Sequence, residues 1–187
     1  MSIQAGNNLP KFYSQVRRQG GGTIDQIDYP VAASQTIDKG DWLKLSSGKV
    51  THAITKSGSA NTAVANGASP GLIGIALASI TTDSNGLATD GSGRTTIPIG
   101  LFNDDTEVMV GIYHATPASA TQSSVITGTN YEVGIVTGPT TATWTYNMMT
   151  TTTNACVNLQ EKSIESSPTE TYGFVWVKPI GTGRVGA

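Results

Sequence analysis

Short apolar or alternating segments, separated by turn residues, run along most of the chain and predict β-strands rather than helices. These segments are residues 29–33, 42–45, 50–54, 71–80, 95–99, 106–113, 131–136, 143–146, 155–159 and 172–177. Turns such as Ser46-Ser47-Gly48-Lys49 and Asn103-Asp104-Asp105 lie between them. The continuous run at 71–80 predicts one buried strand, and Pro98 predicts that 95–99 is an edge strand or a strand end. Residues 57–69 are small and polar and predict a loop, with weak helical potential at 61–65.

The first 24 residues have a different pattern and predict an N-terminal arm. Asn8 is a candidate cap for a short helix with Pro10 in its first turn. One face of that helix would carry Leu9, Phe12, Tyr13 and Val16. Gly20-Gly21-Gly22 would end the helix and form a flexible joint. The arm either folds back on the body or lies on a neighbouring subunit or partner.

Composition and charge restrict the possible functions. The chain has 187 residues, and charged residues make up 13%, about half of the usual share. The net charge of −2 supplies no long-range attraction to nucleic acid or to an anionic membrane. Lys11, Arg17 and Arg18 give the arm a charge of +3, which leaves −5 on the remaining residues. A basic arm on an acidic body suits binding to an acidic surface.

The expected architecture is one all-β domain. Residues 25–187 form its body, which we expect to be a small β-barrel, β-tulip-like or jelly-roll-like, with long loops. Residues 1–24 form the extended arm. A polar, glycine-rich excursion near residues 81–95 should be exposed. No stretch approaches the roughly 18 apolar residues that a membrane-spanning helix needs.

Catalytic and metal-binding patterns are absent from the sequence. The two histidines, His52 and His114, lack ligand spacing to any other metal-binding residue and are expected on strand faces. Two acidic turns, 83–86 and 103–107, could hold a cation, but solvated turns are the preferred interpretation. No pair of carboxylates is singled out for glycosidase chemistry. We therefore expect no enzyme activity, no cofactor, no metal and no small-molecule substrate.

The tryptophans and the cysteine allow predictions about which of them are buried and which face a partner. Trp42 and Trp176 lie in apolar strands and are expected to pack in the core. Trp144 and Tyr146 alternate with threonine and are the aromatic residues most expected to face a partner. Cys156 is the only cysteine, which excludes an intrachain disulfide, and its apolar neighbours predict a buried thiol.

The first strands carry a resemblance to a known family. Ile37-Asp38-Lys39-Gly40-Asp41, Gly48-Lys49-Val50-Thr51 and Gly74-Ile75-Ala76-Leu77 resemble the start of the small β-barrel of tailed-bacteriophage capsid decoration (cement) proteins. The resemblance covers residues 24–80 well and extends to the remainder only in composition. The chain is longer than compact members of that family, and residues 81–93 and those after 113 could form an elaborated outer knob.

The resemblance implies a structural virion protein, made in the host cytoplasm, that binds the outer surface of a phage capsid and stabilises the shell. The expected partner is the major capsid protein, and the expected state is a homo-oligomer, with a trimer favoured. Contact residues would come from the arm: Leu9, Phe12, Tyr13, Val16, Arg17 and Arg18. The alternative is a receptor- or glycan-binding domain of a virion tail or fibre, which would need an exposed aromatic platform.

Overall fold

A computed structural model describes residues 15–19, 21–54, 63–64, 72–137, 144–150, 152, 155–164 and 166–180. Over these ranges the chain is all-β, with two 3₁₀ turns (Pro117–Ser119 and Gln122–Ser124) and no α-helix. None of these residues forms a helix long and apolar enough to cross a membrane. The strands are β1 (Gln15–Arg18), β2 (Gln26–Pro30), β3 (Thr36–Ile37), β4 (Trp42–Ser46), β5 (Lys49–His52), β6 (Ala63–Val64), β7 (Leu72–Ala76), β8 (Ile80–Thr81), β9 (Thr96–Leu101), β10 (Thr106–Tyr113), β11 (Asn130–Tyr131), β12 (Val133–Thr137), β13 (Trp144–Met149), β14 (Val157–Lys162) and β15 (Phe174–Pro179).

Five strands form a curled antiparallel sheet, here called the barrel sheet, in the order β2-β9-β7-β4-β5. Its two outer strands meet at one point, where Val31 bridges Val50 and the amide of Ala32 donates to the Val50 carbonyl at 3.0 Å. The curled sheets form a half-barrel, which confirms the predicted all-β, barrel-like body.

The concave side of the barrel sheet encloses one hydrophobic cluster, the barrel core. Its buried members are Val31, Ile37, Leu43, Val50, Ile73, Ala76, Ile80, Ala88, Ile97 and Ile99. A separate two-stranded ribbon, β3 with β8, contributes Ile37 and Ile80 to this core. The ribbon therefore covers the barrel core.

The apolar run predicted as one strand at 71–80 is two strands in different sheets. β7 ends at Ala76, and β8 begins at Ile80 in the ribbon. β7 is continuously apolar because both of its faces are buried. Ile73 and Ala76 face the barrel core, whereas Leu72 and Ile75 face a second cluster on the other side of the sheet.

The prediction that Pro98 marks an edge strand or a strand end is wrong. Pro98 lies within β9, which is an interior strand between β2 and β7. β7 pairs with β9 only as far as Ala76 and Ile99. One further bond follows, from the Leu77 amide to the Pro98 carbonyl at 3.0 Å. The missing N–H of Pro98 thus falls where the β7 pairing ends, so proline costs little there.

The remaining eight strands form the large sheet. Seven follow the order β11-β14-β15-β10-β13-β12-β6, and β1 pairs with β10 outside this path. Most pairs are antiparallel, but β10 and β13 are parallel. β1 and β6 come from the first half of the chain, so the large sheet joins both halves. The weak helical potential at 61–65 is not realised at Ala63 and Val64, which form β6 against β12.

The large sheet packs on the convex face of the barrel sheet through the second cluster, here called the shared core. From the barrel half it includes Trp42, Leu72, Ile75 and Phe102. From the large sheet it includes Val108, Val110, Ile112, Val133, Ile135, Tyr146, Met148, Val157, Leu159, Val175 and Val177. Cys156 is buried in the same cluster, as predicted. A common core of this size makes the two halves one packing unit.

The excursion near residues 81–95 is mostly exposed, and it is attached to the barrel. Thr82 and Ala88 are buried and bridge each other. The Thr82 hydroxyl donates to the Ala32 carbonyl at 2.8 Å and accepts the Gln35 amide at 3.0 Å. The excursion is therefore a folded flap over the barrel core.

Candidate partner-binding site

β1, which lies in the described part of the predicted arm, is an antiparallel strand on the edge of β10. Its register pairs Val16 with Val108 and Arg18 with Thr106. Because side chains alternate along a strand, Val16 packs against the shared core and Arg17 lies on the opposite, outer face. From Gly111 onward the same edge of β10 is occupied by β13.

Arg17 fixes β1 to the outer face of the large sheet. Its Nε donates to Glu107 Oε2 and its Nη2 to Glu161 Oε2, both at 2.7 Å. The guanidinium carbon lies 3.8 Å from the ring centroid of Trp176, a cation–π contact. Burial alone would lower the pKa of Arg17, but the bonds to Glu161 and Glu107 outweigh it and raise the pKa. Arg17 thus connects β1, β10, β14 and β15.

Arg18 holds the turn before β10. Its Nε donates to Asp105 Oδ2 at 2.7 Å, and its Nη1 lies 3.5 Å from Asp25 Oδ1. The hydrogen bond to Asp105 raises the pKa of Arg18. The Gln19 amide adds a bond to the Asp105 carbonyl at 2.6 Å. The chain then turns through Gly21, whose φ of +89° favours glycine.

An open cavity of about 510 Å³ lies beside β1, lined by Arg17, Arg18, Gln19, Gly21, Glu107, Gln160 and Glu161. Arg17 is paired with the two carboxylates on these walls, those of Glu107 and Glu161, and Arg18 is paired with Asp105, which lies outside the lining. Opposite charges that compensate one another leave no net field for a charged ligand. The geometry suits retention of β1 on the body better than capture of a small molecule.

Three of the six predicted contact residues fall within the described ranges, and all three contact the body. Val16 is in a strand rather than on the predicted helix face, while Arg17 and Arg18 form ion pairs. Leu9, Phe12 and Tyr13 lie outside the described residues, as does the predicted helix before residue 15. Sequence reasoning missed the acidic partners because Glu107 and Glu161 are 90 and 144 positions from Arg17.

The acidic turns have other roles than the cation binding considered for them. Asp83 Oδ1 accepts the amides of Asn85 at 2.8 Å and Leu87 at 2.9 Å. In the second turn, Asp105 and Glu107 are the partners of Arg18 and Arg17. Across the described ranges, no group of three or more His, Cys, Asp or Glu side chains could hold a metal ion.

His52 contacts the turn that follows β3. Its Nδ1 lies 3.4 Å from Asp41 Oδ2, and its Nε2 lies 2.6 Å from the Thr36 carbonyl oxygen. Asp41 Oδ2 also accepts the Asp38 amide at 2.7 Å. These contacts join β5 to β3 and to the loop between β3 and β4. His52 is therefore on a strand, as expected, but His114 follows β10 and accepts the Thr116 amide at 2.9 Å.

None of the aromatic side chains that the structure describes is exposed, so these residues form no platform of the kind that glycan binding would need. Trp42 is in the core, as predicted. The prediction that Tyr146 faces a partner is wrong, because Tyr146 is only 3% exposed. Trp176 is not in the core either: it is half-buried on the outer face, under Arg17. The side chain of Trp144 lies outside what the structure describes.

Comparison with known proteins adds no family. No protein-family model, curated protein or solved structure matches the chain. Its function must therefore be inferred from its own residues and their arrangement.

Proposed function

We propose that this protein is a structural virion protein that binds the outer surface of a tailed-phage capsid and stabilises the shell. The proposal rests on the resemblance of the 37–77 segments to the barrel of capsid decoration proteins. The observation that supports it most is the attachment of β1. A strand fixed by Arg17 and Arg18 provides a firm base from which residues 1–14 can reach a neighbouring molecule.

Affinity would come from apolar side chains of the arm. Leu9, Phe12 and Tyr13 precede β1, and burying them against the major capsid protein would contribute roughly 25 cal/mol per Å² of apolar area, before ordering costs. Many copies on one shell add these contributions through multivalency. Because Val16, Arg17 and Arg18 contact the body, the proposed capsid contact moves to the residues before Gln15.

The role includes no reaction, cofactor or nucleic acid. Stabilisation of a shell by a bound protein follows from mass action, since only the assembled state offers the binding site. The expected localisation is the virion surface. The trimer that the resemblance favours is a separate expectation and is not needed for this role.

The test is co-sedimentation of purified protein with mature capsid shells of its source virus. We expect saturable binding and a raised disruption temperature of the shell. Deletion of residues 1–14, which retains β1, should abolish binding and leave the fold intact by circular dichroism. Deletion through residue 24 is a poorer test, because it also removes β1 and uncovers the edge of β10.

A matched pair of substitutions separates the arm from the body. Phe12→Asp should weaken shell binding strongly, whereas Ile126→Asp, at a position on the body that is 69% exposed, should leave it unchanged. Absence of binding by the unmodified protein would refute the proposed function. Equal binding by the Phe12 variant would refute the role of the arm.

A further inference from the structure

The free edge of β2 carries main-chain groups with no partner in the barrel sheet. Val31 and Leu101 donate to the carbonyls of Thr95 and Asp25, so the hydrogen-bonded pairs of β2 and β9 fall at odd positions of β2. Antiparallel pairs alternate. The N–H and C=O groups of Gln26 and Asp28 therefore point away from β9, toward the outside of the sheet.

This edge is accessible at its first three residues. Gln26, Ile27 and Asp28 are exposed, and Ile27 is 45% exposed despite its apolar character. No described strand pairs with β2 on this side. The barrel sheet closes only beyond β2, at Val31 and Val50. Pro30, the next outward position, has no N–H to offer and ends the available edge.

We propose that this edge binds the same edge of a second copy, as an antiparallel pair centred on Ile27. In that register Gln26 of one copy lies opposite Asp28 of the other, and the twofold axis repeats the pair. Each of the two pairs carries two main-chain hydrogen bonds. An interface of this kind is isologous, so the same surface serves both copies.

The side chains fit this register and no acidic pair is created by it. Asp28 lies opposite the neutral amide of Gln26, which can donate to the carboxylate. Asp25 lies opposite Tyr29, and Ile27 lies opposite Ile27. Like charges directly opposite each other would destabilise a strand pair. The segment Asp25-Gln26-Ile27-Asp28-Tyr29 is thus self-complementary in the antiparallel direction.

The contact is short, so we expect a dimer whose population depends on protein concentration rather than an obligate one. This inference is independent of the capsid role. A dimer formed this way takes the place of the trimer that the resemblance favours, because an isologous contact closes at two subunits.

Disulfide trapping tests the register directly. Ile27 would form a non-hydrogen-bonded pair, with Cα atoms about 4.5 Å apart, which is within the range for a disulfide. Ile27→Cys should therefore give a covalent dimer under mild oxidation. The control is Ile164→Cys, at a position that is 98% exposed on another part of the chain. Both variants retain the buried Cys156, so its background is shared.

A third variant separates main-chain pairing from random collision. Gln26→Pro removes an outward N–H without removing a hydrogen bond to β9, and proline is tolerated on an edge strand. Added to the Ile27→Cys chain, it should reduce cross-linking several-fold. Thermal unfolding should show that the Gln26→Pro variant keeps its fold. If that variant does not fold, Ile27→Asp takes its place, and its dimerisation is compared with that of Ile164→Asp by sedimentation.

Sedimentation of the unmodified protein across micromolar to millimolar concentrations should show monomer and dimer in exchange. Three results would overturn the proposal. They are a monomer throughout, a trimer, or cross-linking at Ile27 no faster than at Ile164 and unaffected by Gln26→Pro.

Discussion

The indole of Trp42 and the phenol ring of Tyr146 stack in the shared core, with ring centroids 5.7 Å apart and planes 8° from parallel. Trp42 belongs to the barrel sheet and Tyr146 to the large sheet, so this contact joins the two sheets. The Tyr146 hydroxyl also donates to the Trp42 carbonyl at 3.4 Å. Burial raises the pKa of the Tyr146 phenol well above its usual range.

Truncating Tyr146 should destabilise the whole protein rather than one half of it. Tyr146→Ala leaves a large cavity, for which we expect a loss of about 3–5 kcal/mol in the free energy of unfolding. Tyr146→Phe keeps the stacked ring and loses one long hydrogen bond, for which we expect about 1 kcal/mol or less. Urea denaturation followed by tryptophan fluorescence and circular dichroism measures both. Separate transitions by the two probes would contradict a common core.

Removing the Arg17 side chain should cost more stability than removing that of Arg18. Arg17→Ala leaves the Glu107 carboxylate, whose side chain is 4% exposed, without its guanidinium partner. A hydrogen bond to a charged group suggests a loss of about 1–3 kcal/mol. Arg18→Ala affects Asp105, which is 35% exposed and better solvated, so a smaller loss is expected. Guanidinium is unsuitable as denaturant because it screens charges; urea titrations should rank the variants, and an equal or reversed ranking would contradict this assignment.

Adding a methyl group at Gly74 should disrupt the contact between β7 and β9. A Cβ there would collide with the main-chain carbonyl oxygen of Gly100, which cannot move without moving the strand. Overpacking of this kind suggests a loss of about 1–3 kcal/mol for Gly74→Ala. Gly100, which is paired with the neighbouring Ile75 in β7, provides the control. A Cβ at Gly100 would meet the end of the Ile24 side chain most closely, and that end can rotate away. Thermal unfolding should therefore show the larger decrease for Gly74→Ala.

Strand positions were largely predictable because alternation and turn residues report local backbone geometry. Which face of a strand is buried depends on its neighbours, and this is where prediction failed. Tyr146 alternates with threonine in a way typical of a half-exposed strand, yet Trp42 covers it. A proline such as Pro98 is typical of an edge strand because it lacks one main-chain N–H. Here the pairing with β7 ends beside Pro98, so an interior strand accommodates the proline.

The ion-pair partners of β1 could not be predicted from the sequence, because they too depend on which segments the fold brings together. Arg17 and Arg18 appear in the sequence as free cations of an arm, and their acidic partners occur in segments that only the folded sheet brings near. The spacing of charges along the chain contains no signal for a pairing across 90 positions. The resemblance to decoration proteins predicts an N-terminal arm, but it does not indicate that the last residues of this arm pack on the body.

Acidification should weaken the flap over the barrel core through Asp83. Its carboxylate accepts the Leu87 and Asn85 amides, and these bonds hold the pKa of Asp83 below its ordinary value of 3.8. A pKa that is lower in the folded than in the unfolded chain stabilises the fold above the unfolded value, and this contribution is lost as the pH falls through the folded one. Asp90 shifts in the same direction through its bonds to Ser92 and Arg94.

Two substitutions at Asp83 separate charge from hydrogen bonding. Asp83→Ala removes the acceptor, so it should destabilise the flap at neutral pH and differ little from the unmodified protein in acid. Asp83→Asn keeps a side-chain oxygen that can accept the same amides. At neutral pH the stability of its flap should therefore lie between that of Asp83→Ala and that of the unmodified protein, and it should depend less on pH. Hydrogen exchange of the Asn85 and Leu87 amides reports the flap directly, when it is followed from neutral pH to about pH 2 and each rate is divided by the intrinsic rate at that pH. Faster exchange in Asp83→Asn than in Asp83→Ala would contradict the acceptor role.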